Sequence, residues 1–225
     1  MNYERIYELR FRGVDPDIRA AVWGEVATWM WDRLDRPARL LDPAAGRCDF
    51  INAFPAEERW AVDLDERGLA HARAGTKTLV SDIFEAKLPA EHFDAVWVSN
   101  FLEHLPTQDA AQAFLVRMHE TLRPGGRIAI MGPNIKHCGD TYWDCADHTL
   151  ALSHVAVEEH LYSAGFELVG TRPRFLPYSF RGRLPASPRM ARVYLAVPAV
   201  WRLLGRQFLI FAQRPGAASY TMRAE

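Results

Sequence analysis

The most informative pattern in the chain is Ala38-Arg39-Leu40-Leu41-Asp42-Pro43-Ala44-Ala45-Gly46-Arg47-Cys48. A short apolar run ends at Asp42, and small residues follow at Ala44, Ala45 and Gly46. This order is typical of a buried strand that ends in a tight turn before a helix. Such a turn lets the bulky groups of a nucleoside-bearing cofactor approach the backbone, although the GxGxxG fingerprint of dinucleotide-binding proteins is incomplete here.

Further apolar runs that end in turn residues continue the pattern and predict strands at 60–63, 78–82, 93–99 and 127–131. Helix-like stretches at 66–74 and 107–122 lie between them, and Thr107 is a suitable N-cap for the second. Because strands and helices alternate, we expect an α/β fold with parallel strands and helices on both faces of the sheet. Ligands of such sheets bind beyond the carboxyl ends of the strands.

Elements are also predicted on either side of this core. Asp15 and Pro16 supply an N-cap and a first-turn proline, which predicts an N-terminal cover helix. Ser153 begins and Gly165 ends another predicted helix. Residues 166–169 and 207–212 then read as strands.

Carboxylates stand at the ends of the first three predicted strands, at Asp42, Asp63 and Asp82. A carboxylate at the position of Asp63 can accept hydrogen bonds from both ribose hydroxyls of a nucleoside. Alternatively, Asp63 begins a turn in which Asp65 caps a helix, and Asp82 is a solvated residue at a strand end. The joint spacing of the three acids favours a cofactor site.

Three segments resemble the class I S-adenosylmethionine-dependent methyltransferases. Residues 41–48 resemble the glycine-rich first motif of that family, 93–105 its fourth-strand motif, and 122–128 the turn before its fifth strand. The similarity covers residues 38–131 and is weaker through Phe166 and Phe208. Two positions depart from the family, because Ala44 and Cys48 stand where its first motif has glycines.

The resemblance implies a Rossmann-like doubly wound seven-stranded sheet, mostly parallel with an antiparallel C-terminal hairpin. It implies a single methyltransferase domain over residues 1–225, with a cover helix in 1–37 and a cofactor-binding core in 38–131. An acceptor-side loop and helix would occupy 132–165, and the hairpin with an Arg-rich helical insertion would occupy 166–225.

The resemblance also implies S-adenosylmethionine as the cofactor and assigns its contacts. Asp42 would orient the methionine end through its ammonium group, Asp63 would bind the ribose, and Asp82 with Ile83 would hold the adenine. Asn100 and His104 would border the methyl-donor end, unless His104 caps or packs beneath a short helix. The predicted cofactor-binding residues are Asp42, Ala44, Gly46, Asp63, Asp82, Ile83, Asn100 and His104.

Residues 134–148 follow the fifth predicted strand and are dense in polar and aromatic groups, which suggests an acceptor pocket. The predicted acceptor-binding residues are Asn134, His137, Tyr142, Trp143 and Asp147. His148 and His154 are the candidate catalytic bases, since transfer to a hydroxyl requires removal of its proton. Alternatively the segment is a surface loop in which Asp147 caps a turn and His148 and Trp143 pack. We expect no metal site, because the spacing of His137, Cys138, Cys145 and His148 matches no familiar zinc motif.

Composition narrows the class further. The chain has 225 residues, 49% of them hydrophobic, and three cysteines, which argues against a disulfide framework. Its start lacks the pattern of a signal peptide, and no apolar run approaches the roughly 20 residues of a spanning helix. We therefore expect a cytoplasmic protein.

The net charge of −1 hides ten arginines in residues 168–224, which contain no lysine, aspartate or glutamate. The apolar and basic segment 189–206, interrupted by Pro198, is predicted to be a lid or dimer helix, or to contact an anionic membrane or a phosphate-bearing acceptor. The expected partner is therefore a small-molecule or lipid-linked acceptor, with peripheral membrane contact and a homodimer as open alternatives.

The expected reaction is methyl transfer to a hydroxyl or amine of a small-molecule, sugar or lipid-linked acceptor. A nucleic-acid methyltransferase is disfavoured, because Ser99-Asn100-Phe101 lacks the Asp/Asn-Pro-Pro-aromatic motif of enzymes that methylate base amines. A dehydrogenase would need the full GxGxxG fingerprint. A cofactor-binding scaffold without activity is the remaining alternative.

Overall fold

The computed structural model describes residues 3–178 and 187–216. Its strands form one sheet in the order β3-β2-β1-β4-β5-β7-β6. In chain order they are β1 (Arg39–Asp42), β2 (Glu58–Asp63), β3 (Thr76–Val80), β4 (Phe93–Ser99), β5 (Leu122–Pro133), β6 (Glu167–Arg172) and β7 (Gln207–Gln213).

The sheet is parallel from β3 to β5 and antiparallel at its C-terminal end. β1 pairs in parallel with both β2 and β4, and β4 pairs in parallel with β5. β7 is antiparallel to both β5 and β6. The seven-stranded, Rossmann-like architecture predicted from the sequence is thus confirmed. Strand order reverses between β1 and β4, which is the position where open α/β sheets bind their ligands.

The helices cover both faces of this sheet. They are α1 (Tyr3–Arg10), α2 (Pro16–Arg33), α3 (Asp49–Ala53), α4 (Glu66–Leu69), α5 (Gln108–Thr121), α6 (Ile135–Cys138), α7 (His154–Ser163), α8 (Pro188–Ala196) and α9 (Pro198–Leu204). Described 3-10 helices lie at Leu102–His104 and Gly139–Asp144. Within the described ranges, no helix is long and apolar enough to cross a bilayer.

Three predicted helix starts have the expected cap. Asp15 Oδ1 accepts from Asp17 N at 2.8 Å, Thr107 Oγ1 from Ala110 N at 3.1 Å, and Ser153 Oγ from Ala156 N at 3.3 Å. Each side chain satisfies a backbone N–H that lacks a partner inside its own helix. Gly165 follows the end of α7 with a φ of +91°, as a helix-terminating glycine should.

The structure corrects several boundaries. The helix predicted over 66–74 ends at Leu69, because the backbone N–H of Arg73 turns away to donate to Asn52 Oδ1 at 2.8 Å. Pro198 divides the segment 189–206 into two helices, α8 and α9. The sequence reading missed α1, which precedes the predicted cover helix α2.

Two apolar clusters, one on each face, hold the sheet in place. One centres on Phe93, Phe114 and Phe166, and the other on Trp97, Phe50 and Phe54. Phe50 stacks on Trp97 with ring centroids 4.4 Å apart, which ties α3 to β4. Because side chains on both faces are close-packed, the carboxyl ends of β1, β2 and β4 have fixed relative positions.

Candidate cofactor and acceptor site

The turn after β1 lies at the point where strand order reverses. The backbone N–H of Ala45 donates to Val62 O at 3.0 Å, and that of Gly46 donates to Asp63 Oδ2 at 2.7 Å. The turn is thereby fastened to the end of β2. An added Cβ at Gly46 would meet no atom within 4 Å, so the space in front of this turn is open to a ligand.

Glycine is required where α4 passes behind the turn. A Cβ at Gly68 would lie 2.4 Å from Gly46 O, which is too close for any side chain. Cys48 has a φ of +61°, a left-handed conformation that favours glycine and explains why the resembled motif has glycine there. The thiol is fully buried, and burial raises the pKa of Cys48 to about 12, so it packs as a neutral group.

Asp42 ends β1 and is only 2% exposed. Burial raises the pKa of its carboxyl to about 8, and the nearby Asp63 charge acts in the same direction. The backbone N–H of Ala44 donates to Asp42 Oδ1 at 3.4 Å and partly offsets these effects. A cationic ligand group would stabilise the ionised carboxylate at this position.

Asp63 organises the neighbouring turn. Its Oδ1 accepts from Asp65 N at 2.9 Å while its Oδ2 holds Gly46, and Asp65 in turn caps α4 by accepting from Arg67 N at 3.1 Å. The turn considered as an alternative in the sequence reading is therefore present. Each carboxylate oxygen of Asp63 has a second lone pair, so this role is compatible with binding a ribose hydroxyl.

Apolar side chains flank the predicted adenine position. Ile83 is 5% exposed and directly follows Asp82, whose Oδ1 accepts from Phe84 N at 2.9 Å. Leu64, immediately after Asp63, is 71% exposed. The sequence shows this pattern as an apolar residue, Leu64, directly after the strand-end acid Asp63.

Two residues after β4 reach different places. Asn100 has a φ of +49° and donates its backbone N–H to Met131 O at 2.9 Å, which fixes the chain at the strand end. His104 instead turns toward the acceptor-side loop, where its Nδ1 lies 2.9 Å from Asp147 O. It therefore lies where the predicted donor and acceptor regions meet.

We define the acceptor cluster as Arg10, Glu103, His104, Asp147, His148 and Tyr178. Arg10 of α1 forms an ion pair with Asp147, and His104 Nδ1 is 3.6 Å from Asp147 Oδ2. The rings of His104 and His148 are 5.1 Å apart, and Tyr178 Oη is 3.3 Å from His148 Nε2. Four separate chain segments thus converge here, and the sequence reading missed Arg10, Glu103 and Tyr178.

Burial dominates the electrostatics of this cluster. It raises the pKa of Glu103 to about 7 and lowers the pKa of His148 to about 4. Burial also acts to raise the pKa of Asp147, but the hydrogen bond from Arg10 and the charges of His104 and Arg10 together outweigh it, and the pKa lies below its ordinary value. At neutral pH the cluster thus holds an ion pair and a neutral imidazole at His148.

Other predicted acceptor residues lie apart from the cluster or support it. Asn134 is fully buried and donates to Pro173 O at 2.9 Å, with His154 Nδ1 also 2.9 Å away. His137 stacks on His154 with ring centroids 6.3 Å apart. No described contact joins these three residues to His148, so the structure groups the two candidate bases separately.

The aromatic members of the loop differ in exposure. Tyr142 is fully buried, and its hydroxyl donates to Leu150 O and accepts from Leu152 N at 3.1 Å. These bonds give Tyr142 a structural task beneath the cluster. Trp143 is 52% exposed and lies on the surface beside it, with ring centroids 5.2 Å apart.

Comparison with known proteins bears on the central part of the chain. Residues 41–130 match the model of a family described as a methyltransferase domain. The matched stretch is 90 of the 225 residues and is similar to that domain. This match confirms the resemblance to the class I S-adenosylmethionine-dependent enzymes, and the family implies S-adenosylmethionine as cofactor. The open turn at Gly46 and the strand-end carboxylates Asp42 and Asp63 fit that group.

Proteins similar to part of this chain include the ubiquinone/menaquinone biosynthesis C-methyltransferase UbiE of Burkholderia vietnamiensis. It is 31% identical over 105 residues, which are 41% of this chain and 42% of the relative. The chain therefore spans less than half the length of the curated relatives it matches.

Solved structures share the fold over nearly the whole chain. A SAM-dependent methyltransferase from Archaeoglobus fulgidus has a TM-score of 0.63 at 18% identity, covering 94% of this chain and 100% of that one. The N-methyltransferase NodS from Bradyrhizobium japonicum has a TM-score of 0.59 at 14% identity, covering 89% and 98%. At these identities the likeness establishes the fold and leaves the acceptor open.

Proposed function

We propose that this protein transfers a methyl group from S-adenosylmethionine to a small-molecule acceptor bound at the acceptor cluster. One observation carries the proposal: the open turn between Asp42 and Asp63 and the cluster around His148 lie on the same carboxyl edge of the sheet. His104, which follows β4 and contacts Asp147, connects the two. A donor and an acceptor would therefore meet above the end of β4.

Each residue of the cofactor half has a separate task in this proposal. Asp42 pairs with the ammonium of the methionine end, and Asp63 accepts from the ribose hydroxyls. Leu64 and Ile83 cover the faces of the adenine, while Asp82 accepts from its amino group. Ala44 and Gly46 keep the turn narrow, and Asn100 shapes the floor beneath the methyl-donor end. The bound cofactor supplies a methyl group on a positively charged sulfur.

The acceptor half has to align a nucleophile with that methyl group and, for a hydroxyl, take up its proton. Burial lowers the pKa of His148 to about 4. Its ring is therefore neutral near pH 7 and offers a nitrogen lone pair to an acceptor hydroxyl, but the same low pKa makes it a weaker base than an exposed imidazole. The rings of Tyr142 and Tyr178 lie beside the His148 ring, with centroids 4.9 and 6.1 Å away. Among the two candidate bases, the position of His148 in the cluster favours it over His154.

The acceptor itself has two candidate classes. The polar cluster supports a hydroxyl or amine nucleophile. The UbiE relatives are named for C-methylation in ubiquinone and menaquinone biosynthesis, so a ring carbon of a quinone precursor is the second candidate.

Incubation of the protein with cell extract and isotopically labelled S-adenosylmethionine tests the proposal, with untargeted mass spectrometry to find labelled products. We expect at least one labelled small molecule that depends on both the protein and the donor. Donor binding without any labelled product would instead support a cofactor-binding scaffold. Label in nucleic acid would contradict a small-molecule acceptor.

Replacing His148 by glutamine is expected to lower turnover on a hydroxyl acceptor about a hundredfold, because a general base acts on the transition state. Donor affinity should stay unchanged. His154→Gln is the matched control, since His154 bonds to Asn134 outside the cluster. The rate of labelled methyl transfer in a single turnover, measured on the product found in the extract, gives the loss for each of the two variants. Equal loss in both variants would contradict the assignment to His148.

We further propose that the Arg-rich surface of α8 and α9 contacts an anionic membrane. Its exposed apolar residues include Val193 at 65% and Leu203 at 79% exposure, with Arg189, Arg202 and Arg206 also exposed beside them. Leu204 and Arg206 immediately precede β7, which starts opposite the carboxyl end of β5. A membrane on this surface would therefore border the acceptor side, where a lipid-linked acceptor would enter.

Arg181 and Arg183, two of the ten arginines in residues 168–224, lie outside the described residues. Arg192 is engaged in a double hydrogen bond with Glu25 of α2, at 2.8 and 2.7 Å. That contact fastens α8 to α2, as a lid or cover helix requires. Arg189, Arg202 and Arg206 are accordingly better choices for testing membrane contact.

Changing Arg189, Arg202 and Arg206 to glutamine should weaken sedimentation with phosphatidylglycerol vesicles at least tenfold and flatten its salt dependence. Each cation near an anionic surface contributes on the order of 1 kcal/mol. The control variant changes three arginines outside this surface, Arg12, Arg36 and Arg127, to glutamine, so that it loses the same charge. Loss of dimerisation in the first variant would favour a dimer interface, and wild-type binding that ignores ionic strength would contradict an electrostatic contact.

A further inference from the structure

We propose that the acceptor is a hydroxyl-rich molecule, a sugar or sugar-bearing compound, and that Asp147 and His148 bind its hydroxyl groups. This inference rests on the proposed methyl transfer and names its acceptor class. It departs from the quinone chemistry in the names of the curated relatives.

The first support is an unsatisfied oxygen of Asp147. Its side chain is 2% exposed, and Oδ1 is engaged by Arg10. Oδ2 has no hydrogen-bond partner among the described residues. His104 Nδ1 is 3.6 Å from Oδ2 and donates instead to the Asp147 carbonyl at 2.9 Å. A buried carboxylate oxygen without a donor is unusual in a folded protein and marks a position for a ligand hydroxyl.

The second support is His148, which directly follows Asp147 in the same loop. Its Nδ1 is buried and makes no hydrogen bond of ordinary length within the described part of the chain, with the Tyr142 backbone nearby. Its Nε2 faces Tyr178 Oη at 3.3 Å, beyond the usual length of a hydrogen bond from a hydroxyl. The ring can therefore accept from or donate to a hydroxyl, depending on its tautomer.

Aromatic rings surround these polar atoms. The His148 ring lies 4.9 Å from Tyr142 and 6.1 Å from Tyr178, measured between centroids. Ligand sites commonly combine such apolar walls with a few placed polar groups that fix orientation. A sugar ring offers C–H faces to the aromatic groups and hydroxyls to Asp147 and His148.

An apolar ring would fit this environment poorly. It would displace water from Asp147 and His148 without returning a hydrogen bond to either. Sites built to bind a hydroxyl discriminate strongly against analogues that lack it, because their buried polar groups are left unpaired. A quinol carries its two hydroxyls at opposite ends of a flat ring, so one of them at most reaches the neighbouring atoms of Asp147 and His148, whereas adjacent hydroxyls of a sugar can reach both.

A bound cation is the rival occupant of these atoms. Ligand atoms of Glu103, His104 and His148 lie within 4.8 Å of one another, as do those of Cys145, Asp147 and His148. Arg10 already supplies a positive charge to Asp147, which disfavours a second cation at the same carboxylate. A chelator separates the two occupants, because EDTA removes a bound cation and leaves a sugar in place.

The test uses the full chain saturated with S-adenosylhomocysteine, to mimic the donor-loaded state. Saturation-transfer NMR measures binding of methyl hexopyranosides, UDP-glucose and reduced menadione. We expect saturation transfer to at least one sugar probe, unaffected by EDTA, and labelled methyl transfer to that probe from S-adenosylmethionine. Reduced menadione should show neither.

The variants are Asp147→Asn and, as a matched control on the same loop, Asp140→Asn, whose side chain is exposed. Asp147→Asn should weaken sugar binding at least tenfold, because an amide N–H replaces the unpaired acceptor, while donor affinity stays within twofold. If loss of the Arg10 pair unfolds that variant, His148→Phe preserves the ring without its nitrogens and should also lose sugar binding.

Several results would overturn the inference. The sugar assignment is wrong if methyl is transferred to reduced menadione, or if EDTA abolishes sugar binding. It is also wrong if a protein that binds the donor binds none of the sugar probes. Each of these results leaves the proposed methyl transfer intact. Sugar binding that is unchanged in both Asp147→Asn and His148→Phe would also contradict the sugar assignment. Failure to bind S-adenosylmethionine at all would instead remove the proposed function.

Discussion

Asp42→Asn is expected to abolish measurable donor binding and, at the same time, to raise the thermal midpoint of the free protein. The carboxylate is the proposed partner of the ligand ammonium, and removing one member of a buried charge pair costs about 3 kcal/mol or more. Affinity for S-adenosylmethionine should therefore fall by more than about a hundredfold. Isothermal titration measures the affinity, and calorimetry the thermal midpoint.

The gain in stability follows from proton linkage. Burial raises the pKa of Asp42 to about 8, far above its value in the unfolded chain. Between about pH 4 and pH 8 the folded state therefore holds a proton that the unfolded state releases. The stability that this bound proton gives the wild-type protein is fully present below about pH 4 and is lost as the pH rises through about 8. The thermal midpoint of the asparagine variant should therefore exceed that of the wild-type protein most at the alkaline end.

The pH dependence supplies the control for this prediction. The difference in thermal midpoint between the variant and the wild-type protein should widen from pH 5 to pH 8. Asp109→Asn, at an exposed position in the first turn of α5, should show no such widening. A parallel pH profile for the wild-type protein and Asp42→Asn would show that Asp42 titrates normally and would remove the physical basis of the assignment.

Asp63→Ala should weaken S-adenosylmethionine binding by about 1.5–3 kcal/mol, the usual contribution of hydrogen bonds to a charged acceptor. The structure adds a second cause, because Asp63 also holds Gly46 N at 2.7 Å and so fixes the turn that faces the ligand. Loss of that bond should appear as faster amide hydrogen exchange at Gly46 in the free variant.

Asp65→Ala is the matched control for Asp63→Ala. Asp65 caps α4, so its removal should cost about 1 kcal/mol of stability and leave donor affinity nearly unchanged. Equal losses of affinity in the two variants would mean that the turn, and not a contact with the ribose, accounts for the effect.

The strands and several helix starts were predictable because their signals are local. Each predicted strand is a short apolar run, and β4 was located to the residue at Phe93–Ser99. Asp15, Thr107 and Ser153 cap helices through bonds to residues two or three positions away. The strand-end positions of Asp42 and Asp63 follow from the same local patterns.

The acceptor side was less predictable because its contacts are distant in sequence. Arg10 reaches Asp147 across 137 positions, and Tyr178 reaches His148 across 30. Helix α1, which carries Arg10, is only eight residues long and so shows fewer turns of apolar periodicity than the 18-residue α2. Residues 134–148 were recognised as a unit, yet their folding sends His137 toward His154 and His148 toward His104, which no sequence spacing specifies.

Isothermal titration of the unmodified protein with S-adenosylmethionine, S-adenosylhomocysteine and NAD distinguishes a methyl-donor site from a dinucleotide site. We predict that both adenosyl ligands bind at one site per chain, that they compete with each other, and that NAD gives no heat of binding. Binding of NAD without binding of S-adenosylmethionine would contradict the account.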